Sequence, residues 1–476
     1  MTTVVEALPA ERPEASRASD RSNRSGREGV LRGGRALSFV LIAVRALLAV
    51  LILIYFVSAS FYDHAADFKS FYSAGFAVRH PEIPLYDLIA LDENPFGEVF
   101  KLAPPAAVYL VPFSFGSIQQ ARLAWRVVLV LAFAIGYAIL MRALDVRLLS
   151  GPWLAGLGLW SVFGPLQIAV GEGQWDPIFL LLTALATYAV KWRREVLAAI
   201  AIAVAASVKP YPLCLIGYFL ARRAWKPALA TLGVLAGLTV VGSLLVGLDE
   251  AMAFATRVLP ASGATTTYAD NQALGGLLAR IVSSDLKPFP LRDSGAIDLT
   301  IRSVALALFG VTVWLVARRP ASDSDGDARR RMLQLSLFVP LSILVVPAAW
   351  THYETILLVP LTLLAADQKH ARPRQPLGWL LLAACYVVLM LPNPTMLYGP
   401  ELDRALWLRS RADAANLALQ RLYPTALDRL ILSYKTFAIV ALYGMLAWRV
   451  ARPNLGSPDA AGVPGESAAA RRDGGT

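Results

Sequence analysis

The sequence predicts an all-α fold, a polytopic bundle of transmembrane helices. Of its 476 residues, 56% are hydrophobic and only 17% are charged, and the mean hydropathy is +0.53. Apolar runs recur along the chain, for example at 36–59, 120–143, 225–248 and 298–318. A soluble protein of this length could not keep so much apolar surface in water, whereas each membrane-spanning helix needs roughly 20 such residues. Several of the runs are shorter than that, so we expect that not all of them cross.

The two ends of the chain differ from its apolar middle. Residues 1–35 are rich in Arg, Ser and Glu and lack apolar periodicity, and residues 451–476 are rich in Gly, Pro and Ala. Both compositions are typical of disordered segments. We therefore predict disordered cytoplasmic tails at 1–35 and 451–476 and one transmembrane domain at 36–450. The first span has no convincing cleavage site, so we expect it to be retained as an anchor.

The distribution of charge predicts the topology. Lys and Arg concentrate in cytoplasmic loops, so the arginine-rich start of the chain predicts an internal N terminus and an external first loop at 59–102. The chain is therefore predicted to be a multi-pass protein of the cell membrane with its active site on the extracytoplasmic face. Basic clusters predict internal loops at 191–194, 222–226, 318–331 and 369–374. The external turns are then predicted at 171–176, 249–297, 350–354 and 393–428. The last of these segments holds more arginine than the rule favours for an external turn.

Two prolines interrupt the short apolar stretch between the basic clusters at 191 and 222. The motif "SVKPYP" at 207–212 leaves room for only a short helix on either side. We therefore predict two short helices with Lys209 at their tip. Broken helices are tolerated in membranes where they line a cavity, and an ionisable side chain at that depth is a functional candidate.

Metal, redox and nucleic-acid chemistry are not expected. Cys214 and Cys385 lie inside apolar runs, which favours packing over a disulfide or a metal site. His64 adjoins Asp63, but no third ligand has suitable spacing. The basic residues are not interleaved with aromatics as they are on a nucleic-acid surface.

The segment that follows the first span begins with Asp67 and continues as "FKSFYSAGFAV". Its apolar residues recur every three or four positions, which predicts an amphipathic helix on the membrane interface. Asp67 is then either a favourable charge in the first turn of that helix or a catalytic carboxylate. The predicted apolar face comprises Phe68, Phe71, Tyr72, Gly75 and Phe76.

Several motifs in order carry a family resemblance over roughly residues 60 to 365. Asp67 is followed by Phe-x-x-Phe-Tyr-x-Ala and then by Pro84-Leu85-Tyr86-Asp87. Further along stand "GQWDPIFLLL" at 173–182, "SVKPYPLCLIGYFLARRAWK" at 207–226, "NQALGGLLAR" at 271–280 and "PAAWTHYETILLVPL" at 347–361. Together they resemble the class C (GT-C) glycosyltransferases of family 87, which include the mycobacterial polyprenyl-phosphate-mannose-dependent mannosyltransferases. The resemblance fades after Asp87, and the sequence from 393 onward matches no part of the pattern.

The resemblance implies a GT-C bundle that transfers a hexose, mannose by inheritance from the family, from a polyprenyl-phosphate donor to a lipid or glycan acceptor outside the cytoplasm. An acidic residue of the first external loop is then the general base. Asp67 matches that position by context, and Asp63 is its competitor. Inverting transfer requires one carboxylate to take the acceptor proton while the anomeric carbon leaves the phosphate. Because the family's donors carry a monophosphate, no divalent metal is expected.

The resemblance and the topology together supply the remaining candidates. His352, in the Trp-x-His-Tyr element, is expected to hydrogen-bond Asp67 or to donate to the departing phosphate. Structural explanations stay open, namely snorkelling for Lys101, helix capping for Asn271 and an interfacial hydrogen bond for His352. The candidates for the phosphate are Lys209, Arg280 and Lys101, and those for the substrate are Asn271, Gln272, Gln174 and Asp63.

Two other functions remain open at this level. A transporter or flippase for a lipid-linked sugar is disfavoured because no duplicated halves are visible and the charged groups gather at one face. A glycan ligase with a diphosphate-linked donor would need more arginine in its external loops, which the 393–428 segment allows.

Overall fold

The computed structural model describes residues 38–61, 67–86, 100–283, 295–318, 321, 327–370, 376–394, 423 and 425–452. All regular secondary structure within these ranges is helical. The α-helices are α1 (Ser38–Ser60), α2 (Phe68–Arg79), α3 (Pro104–Leu110), α4 (Ile118–Ala143), α5 (Gly151–Ser161), α6 (Gly164–Glu172), α7 (Asp176–Lys191), α8 (Glu195–Ala206), α9 (Ile216–Ala221), α10 (Trp225–Val246), α11 (Leu248–Ala253), α12 (Leu259–Ser262), α13 (Leu274–Val282), α14 (Gly295–Ala317), α15 (Ala328–Leu344), α16 (Leu358–His370), α17 (Pro376–Met390), α18 (Ala426–Arg429) and α19 (Tyr434–Ala451). Short 3₁₀ turns lie at Val111–Ser114, Tyr211–Leu215, Thr351–Leu357 and Leu430–Ser433, and a π-helical turn lies at Phe254–Val258.

The described helices confirm a polytopic membrane protein. Five segments are long and apolar enough to cross a membrane, namely α1, α4, α10, α14 and Leu427–Ala451, which covers α19 and all but the first residue of α18. Helices α5 and α6 pass the same test as a pair that is bent by 57°. Pro165 stands in the first turn of α6, where a proline is tolerated but cannot continue the preceding helix.

Contacts between helix termini define one end of the bundle, which we call the basic end. It brings together the last turns of α4, α7, α9, α16 and α19 and the first turns of α8, α10, α15 and α17. The clusters at 191–194, 222–226 and 328–331 lie there together, as the predicted topology requires. The joining contacts include Lys191 Nζ with Asp145 Oδ2 at 2.6 Å, Arg331 Nε with Val190 O at 3.1 Å, Arg222 Nη1 with Ala321 O at 2.6 Å and Arg449 Nη2 with Gln368 Oε1 at 2.8 Å.

Exposed tryptophans ring the basic end. Several of them stack with the basic side chains of that end: Lys191 Nζ lies 5.0 Å from the Trp192 ring centre, and the Arg452 guanidinium carbon lies 3.5 Å from that of Trp448. Tryptophan and snorkelling cations mark the boundary between lipid and water. The exposed tryptophans in the described ranges are Trp192, Trp225, Trp314, Trp379 and Trp448.

The central helices that run from the basic end towards the opposite end of the bundle are short. Helices α7, α8 and α15 have 16, 12 and 17 residues, which corresponds to lengths of about 24, 18 and 26 Å. A hydrocarbon layer is about 30 Å thick. Around them stand longer helices such as α1 and α10, which expose most of their surface. The central helices α7, α8 and α15 are therefore shorter than the hydrocarbon layer is thick.

Helix α2 confirms that an amphipathic helix follows the first span, whereas its placement on the membrane interface stays a prediction. Phe68, Phe71, Tyr72 and Gly75 are buried, and Phe76 is half-buried. The Tyr72 hydroxyl donates to the carbonyl of Gly116 at 2.7 Å, which fastens α2 to the turn that follows α3. The apolar face of α2 is thus used for packing on the protein.

Several predicted features lie outside the described residues. They include Asp63 and His64, both predicted tails apart from residues 451 and 452, and most of the 393–428 segment. The first described helix begins at Ser38 and the last ends at Ala451. The boundaries 1–35, 36–450 and 451–476 stay a prediction.

Gly75 tests the seating of α2. A Cβ at Gly75 would lie 2.5 Å from the carbonyl oxygen of Leu110, a backbone atom that cannot rotate away. We expect Gly75→Ala to lower the free energy of unfolding by roughly 1–3 kcal/mol through overpacking, measured as a fall in the thermal midpoint in detergent. Gly233→Ala is the matched control because a Cβ there meets nothing within 4 Å. Equal midpoints for the two variants would contradict this packing.

Candidate active site

The turn between α6 and α7 forms the floor of the candidate site. Helix α6 ends at Glu172 and is capped by Gly173, whose φ of +80° is left-handed and therefore favours glycine. The Trp125 indole donates to the Gly173 carbonyl at 2.6 Å, and Arg126 Nη2 donates to the Gly171 carbonyl at 2.9 Å. Because α4 holds both carbonyls, the following residues Gln174 and Asp176 are fixed in place.

Asp67 is held by this turn and not by its own helix. It occupies the N-cap position of α2, but its side chain makes no capping hydrogen bond. Its Oδ2 instead accepts a hydrogen bond of 2.5 Å from Nε2 of Gln174. Within the described part of the chain, the second carboxylate oxygen has no protein donor. The helix-capping explanation of Asp67 is therefore not supported by its contacts.

Lys209 lies at the centre of the site. Its ammonium lies 3.1 Å from Oε1 of Gln174, 3.4 Å from Nε2 of His352 and 3.5 Å from Oδ2 of Asp176. Helix α8 ends at Ala206, and the chain turns through Pro210 into a 3₁₀ turn, which puts Lys209 at the predicted tip between two short helices. An ammonium has three N–H donors, so each of them has one partner here.

The carboxylate of Asp176 balances the buried ammonium. Asp176 is 0% exposed, and its Oδ1 accepts a hydrogen bond of 3.0 Å from the Tyr211 hydroxyl. Burial lowers the pKa of Lys209, but the carboxylates of Asp176 and Asp67 raise it by more, so its pKa lies above the ordinary value. The Tyr353 ring centre lies 4.5 Å from the ammonium and adds a cation–π contact. Lys209 is therefore a charged ammonium.

His352 closes the site from the 3₁₀ turn at Thr351–Leu357. An ammonium can only donate, so Nε2 of His352 accepts from Lys209 and the ring proton lies on Nδ1. Nδ1 lies 3.4 Å from Oε2 of Glu172, the last residue of α6. A charged ring would lie 3.4 Å from the Lys209 ammonium, but it would also face the carboxylates of Glu172 at 3.4 Å and Asp176 at 3.9 Å. While Nε2 accepts from Lys209, it carries no proton of its own.

These contacts form one connected set, which we call the Lys209 network. It contains a carboxylate with a free oxygen, which can accept a proton, and a buried cation, which can bind an anion. The predicted hydrogen bond between His352 and Asp67 is not among the contacts of the described residues, because Gln174 and Lys209 lie between the two. The members are Asp67, Glu172, Gln174, Asp176, Lys209, Tyr211 and His352.

Sequence reasoning did not single out Glu172 and Tyr211. Both adjoin predicted candidates, since Glu172 opens the "EGQWD" turn and Tyr211 follows Lys209 by two residues. The signal in the sequence that could have identified them is that each is a polar residue on the same turn as a predicted candidate.

Arg280, Asn271 and Gln272 lie in a separate buried cluster. Arg280 is 1% exposed, and its guanidinium donates to the carbonyls of Tyr268 and Asn271 and to the Ser433 hydroxyl. Both side-chain atoms of Asn271 and Gln272 bond to backbone groups, including the N–H of Ala349 and of Thr436. These contacts cross-link the loop before α13 to the loop before the Thr351 turn and to α19. Binding of phosphate or sugar by these residues stays a prediction, and their observed contacts are structural.

Lys101 lies on the surface. Its side chain is exposed and makes no described contact with the Lys209 network, which fits the snorkelling explanation. A role in phosphate binding stays a prediction.

A second buried ion pair stands next to His352. Lys435 Nζ lies 3.0 Å from Oε2 of Glu354 and 3.0 Å from the Leu389 carbonyl oxygen, and both charged side chains are 0% exposed. Burial raises the pKa of Glu354 to about 7, although Lys435 opposes the shift. This pair ties the turn that carries His352 to α19.

The described residues contain no group of three or more His, Cys, Asp or Glu side chains placed to hold a metal ion. The expectation that transfer needs no divalent metal stays a prediction.

Comparison with known proteins identifies relatives. The model of "Glycosyltransferase family 87" matches residues 103–347. The chain is 26% identical over 310 residues to the polyprenol-phosphate-mannose-dependent alpha-(1-2)-phosphatidylinositol pentamannoside mannosyltransferase of Mycolicibacterium smegmatis, covering 62% of this chain and 68% of the relative. It is also 26% identical over 352 residues to the polyprenol-phosphate-mannose-dependent alpha-(1-2)-phosphatidylinositol mannoside mannosyltransferase of Mycobacterium tuberculosis, covering 69% and 76%. Among solved structures, ArnT from Cupriavidus metallidurans bound to undecaprenyl phosphate is similar with a TM-score of 0.42 and 15% identity, covering 86% of this chain and 78% of that chain.

Removing the Lys209 ammonium tests the electrostatic balance of the site. We expect Lys209→Met to lower the free energy of unfolding by roughly 3–5 kcal/mol, because it leaves the Asp176 carboxylate buried and unpaired. The double variant Lys209→Met/Asp176→Asn should recover most of that loss, measured by denaturant unfolding in detergent.

Lys191→Met is the control for this experiment. Lys191 pairs with the exposed Asp145, so its loss should cost no more than about 1 kcal/mol. A double variant as unstable as Lys209→Met would contradict the pairing.

Proposed function

The chain belongs to glycosyltransferase family 87, and we propose that it transfers mannose from a polyprenyl-phosphate-linked donor to a lipid or glycan acceptor, with inversion and with Asp67 as the general base. The observation that carries the proposal is the contact chain from Asp67 through Gln174 to Lys209, which links a carboxylate to a buried cation through one amide side chain. Membership in a glycosyltransferase family favours transfer over the transporter that the sequence left open. Both mycobacterial relatives are named as polyprenol-phosphate-mannose-dependent enzymes, which supports this donor and this sugar.

The geometry of Asp67 suits a base. The Gln174 amide holds Oδ2, and this leaves the other oxygen to accept the proton of an acceptor hydroxyl. The amide cannot be reversed without cost, because its oxygen faces the Lys209 ammonium. The carboxylate is therefore presented in one orientation, and attack by the hydroxyl on the anomeric carbon follows as its proton passes to Asp67.

The leaving phosphate requires positive charge, which Lys209 supplies. Lys209 is 6% exposed, and its ammonium is fixed by Gln174, Asp176 and His352, so it needs little reorganisation as charge develops on the phosphate. His352 adjoins it at 3.4 Å. Arg280, Asn271 and Gln272 are not part of the proposed machinery, because their polar atoms bond within the protein.

We place the site on the extracytoplasmic side of the membrane. Basic loops favour the cytoplasm, and the basic clusters and exposed tryptophans lie at the end of the bundle opposite the Lys209 network. Along α7, the 16 residues from Asp176 to Lys191 separate the network from that end by about 24 Å. Since the hydrocarbon layer is about 30 Å thick, the reaction takes place close to the outer membrane surface, where a lipid-linked donor presents its phosphate.

Substituting the proposed base is the direct test of this function. Asp67→Asn keeps the size of the side chain but removes the proton acceptor, so transfer should fall by about 10²–10⁴-fold. The measurement is mannose transfer by purified protein from a short-chain polyprenyl phosphomannose to a membrane-lipid extract, with products followed by mass spectrometry.

Two further variants make this test decisive. Asp249→Asn, at an exposed acid at the start of α11, should retain full activity. If Asp67→Asn is active while Asp63→Asn is inactive, the base is Asp63. Full activity of both Asp67→Asn and Asp63→Asn would contradict base catalysis from this segment.

Metal removal is a separate prediction. Because Lys209 balances the leaving monophosphate, the transfer rate should be unchanged after treatment with EDTA and removal of the chelated metal. A loss of activity that Mg²⁺ or Mn²⁺ restores would show that the carboxylates of the site hold a metal during transfer.

A further inference from the structure

We propose that binding of the donor phosphate is coupled to the uptake of one proton by His352, and that Glu172 is the positioning residue that holds the charged ring. The inference rests on the proposed function, since it takes Lys209 as the docking point of the donor. The proton comes from solvent and forms an N–H bond at Nε2, so the ring changes from neutral to a single positive charge. No other covalent bond forms or breaks in this step.

The starting point is the saturation of Lys209. Its three N–H donors face Gln174, His352 and Asp176 at 3.1, 3.4 and 3.5 Å, and an ammonium has no further donor to offer. A phosphate oxygen that hydrogen-bonds to Lys209 must therefore replace one of these partners.

His352 is the partner that can be replaced. Release of Asp176 would leave a fully buried carboxylate without its cation, and release of Gln174 would free the amide that orients Asp67. Release of His352 leaves an imidazole nitrogen, which can take up a proton and then donate to the phosphate. The phosphate would then accept from Lys209 and from His352 together.

The charges of the site favour the same outcome. With a neutral His352, the network contains the carboxylates of Asp67, Glu172 and Asp176 and the ammonium of Lys209, so its formal charge is negative before an anion enters. A proton on His352 reduces the net negative charge of the network. The ring is already aligned for it, because Nδ1 faces Oε2 of Glu172 at 3.4 Å and a carboxylate on one ring nitrogen stabilises a positive charge on the ring.

Several other titratable groups face His352 from the elements packed around it. Asp176 Oδ2 lies 3.9 Å from Nε2 on the α7 side, and Tyr353 packs edge-on against the ring from the same turn. Glu354, with its partner Lys435 on α19, acts electrostatically on the ring. Because burial raises the pKa of Glu354 to about 7, Glu354 is the rival proton acceptor, and the test must separate the two.

Calorimetry measures the coupling directly. The full chain is titrated with a short-chain polyprenyl phosphomannose, without acceptor and with EDTA present, at pH 7.5 in buffers of different ionisation enthalpy. The probe is a phosphodiester with no proton to exchange near this pH, so any proton taken up belongs to the protein. We expect the binding enthalpy to depend on the buffer with a slope of about one proton, and the affinity to fall by up to about tenfold per pH unit above this pH.

Four variants assign the proton. His352→Gln should bind without buffer dependence, and Glu172→Gln should bind more weakly and take up less proton. His80→Gln is the matched control, because His80 pairs with Glu82 at 3.2 Å away from the Lys209 network, and it should behave like the unsubstituted chain. The double variant Glu354→Gln/Lys435→Met, which removes both charges of the neighbouring pair, should keep the uptake.

Three results would overturn the inference. They are donor binding by the unsubstituted chain with no buffer dependence, uptake that persists in His352→Gln, and uptake that disappears in Glu354→Gln/Lys435→Met. Proton-neutral binding combined with active transfer would leave the proposed function standing and remove only this coupling. A chain that binds no polyprenyl phosphomannose would contradict the proposed donor, and the coupling with it.

Discussion

The buried ammonium of Lys209 is the interaction on which the site depends. A cation that is removed from water must be surrounded by partners that replace its hydration, and here those partners come from two distant parts of the chain. Gln174 and Asp176 stand on the α6–α7 turn, and His352 stands on the 3₁₀ turn before α16. Asp67 joins them through Gln174. The position of the proposed base is thus set by a cation two side chains away.

The architecture explains how such a cation is available to a membrane-bound substrate. Helices α7 and α8 are shorter than a full span, and Asp176 at the start of α7 meets Lys209 just after the end of α8. Irregular backbone at such depth is tolerated where it lines a cavity. The proline-broken turn around Lys209 is therefore tolerated at this position, and the same turn brings Lys209 to Asp176.

The family match and the contacts supply complementary parts of the account. The matched residues 103–347 include Glu172, Gln174 and Lys209 but neither Asp67 nor His352. The contacts of Gln174 and Lys209 reach both of these outlying residues. The family match thus identifies the family of the chain, whereas the proposed site rests on the contacts of its residues.

Much of the fold followed from local patterns in the sequence. Apolar runs predicted the spans, helical spacing predicted α2, and two prolines predicted the turn at Lys209, because each of these features depends on neighbouring residues. The contacts of Arg280, Asn271 and Gln272 could not be predicted in this way. Whether such a polar side chain faces substrate or backbone depends on segments more than a hundred residues away, such as Ser433 and Thr436. Glu172 was missed for the same reason, since its partner His352 is distant in the chain.

The measurement that tests the central claim most directly is a comparison of donors. Purified protein is incubated with a membrane-lipid extract and with mannose linked to the same short polyprenyl chain through either one phosphate or two, and the products are identified by mass spectrometry. The account predicts a mannosylated product from the monophosphate-linked donor, because a single buried ammonium at Lys209 balances its leaving group. A product formed only from the diphosphate-linked donor would contradict the account.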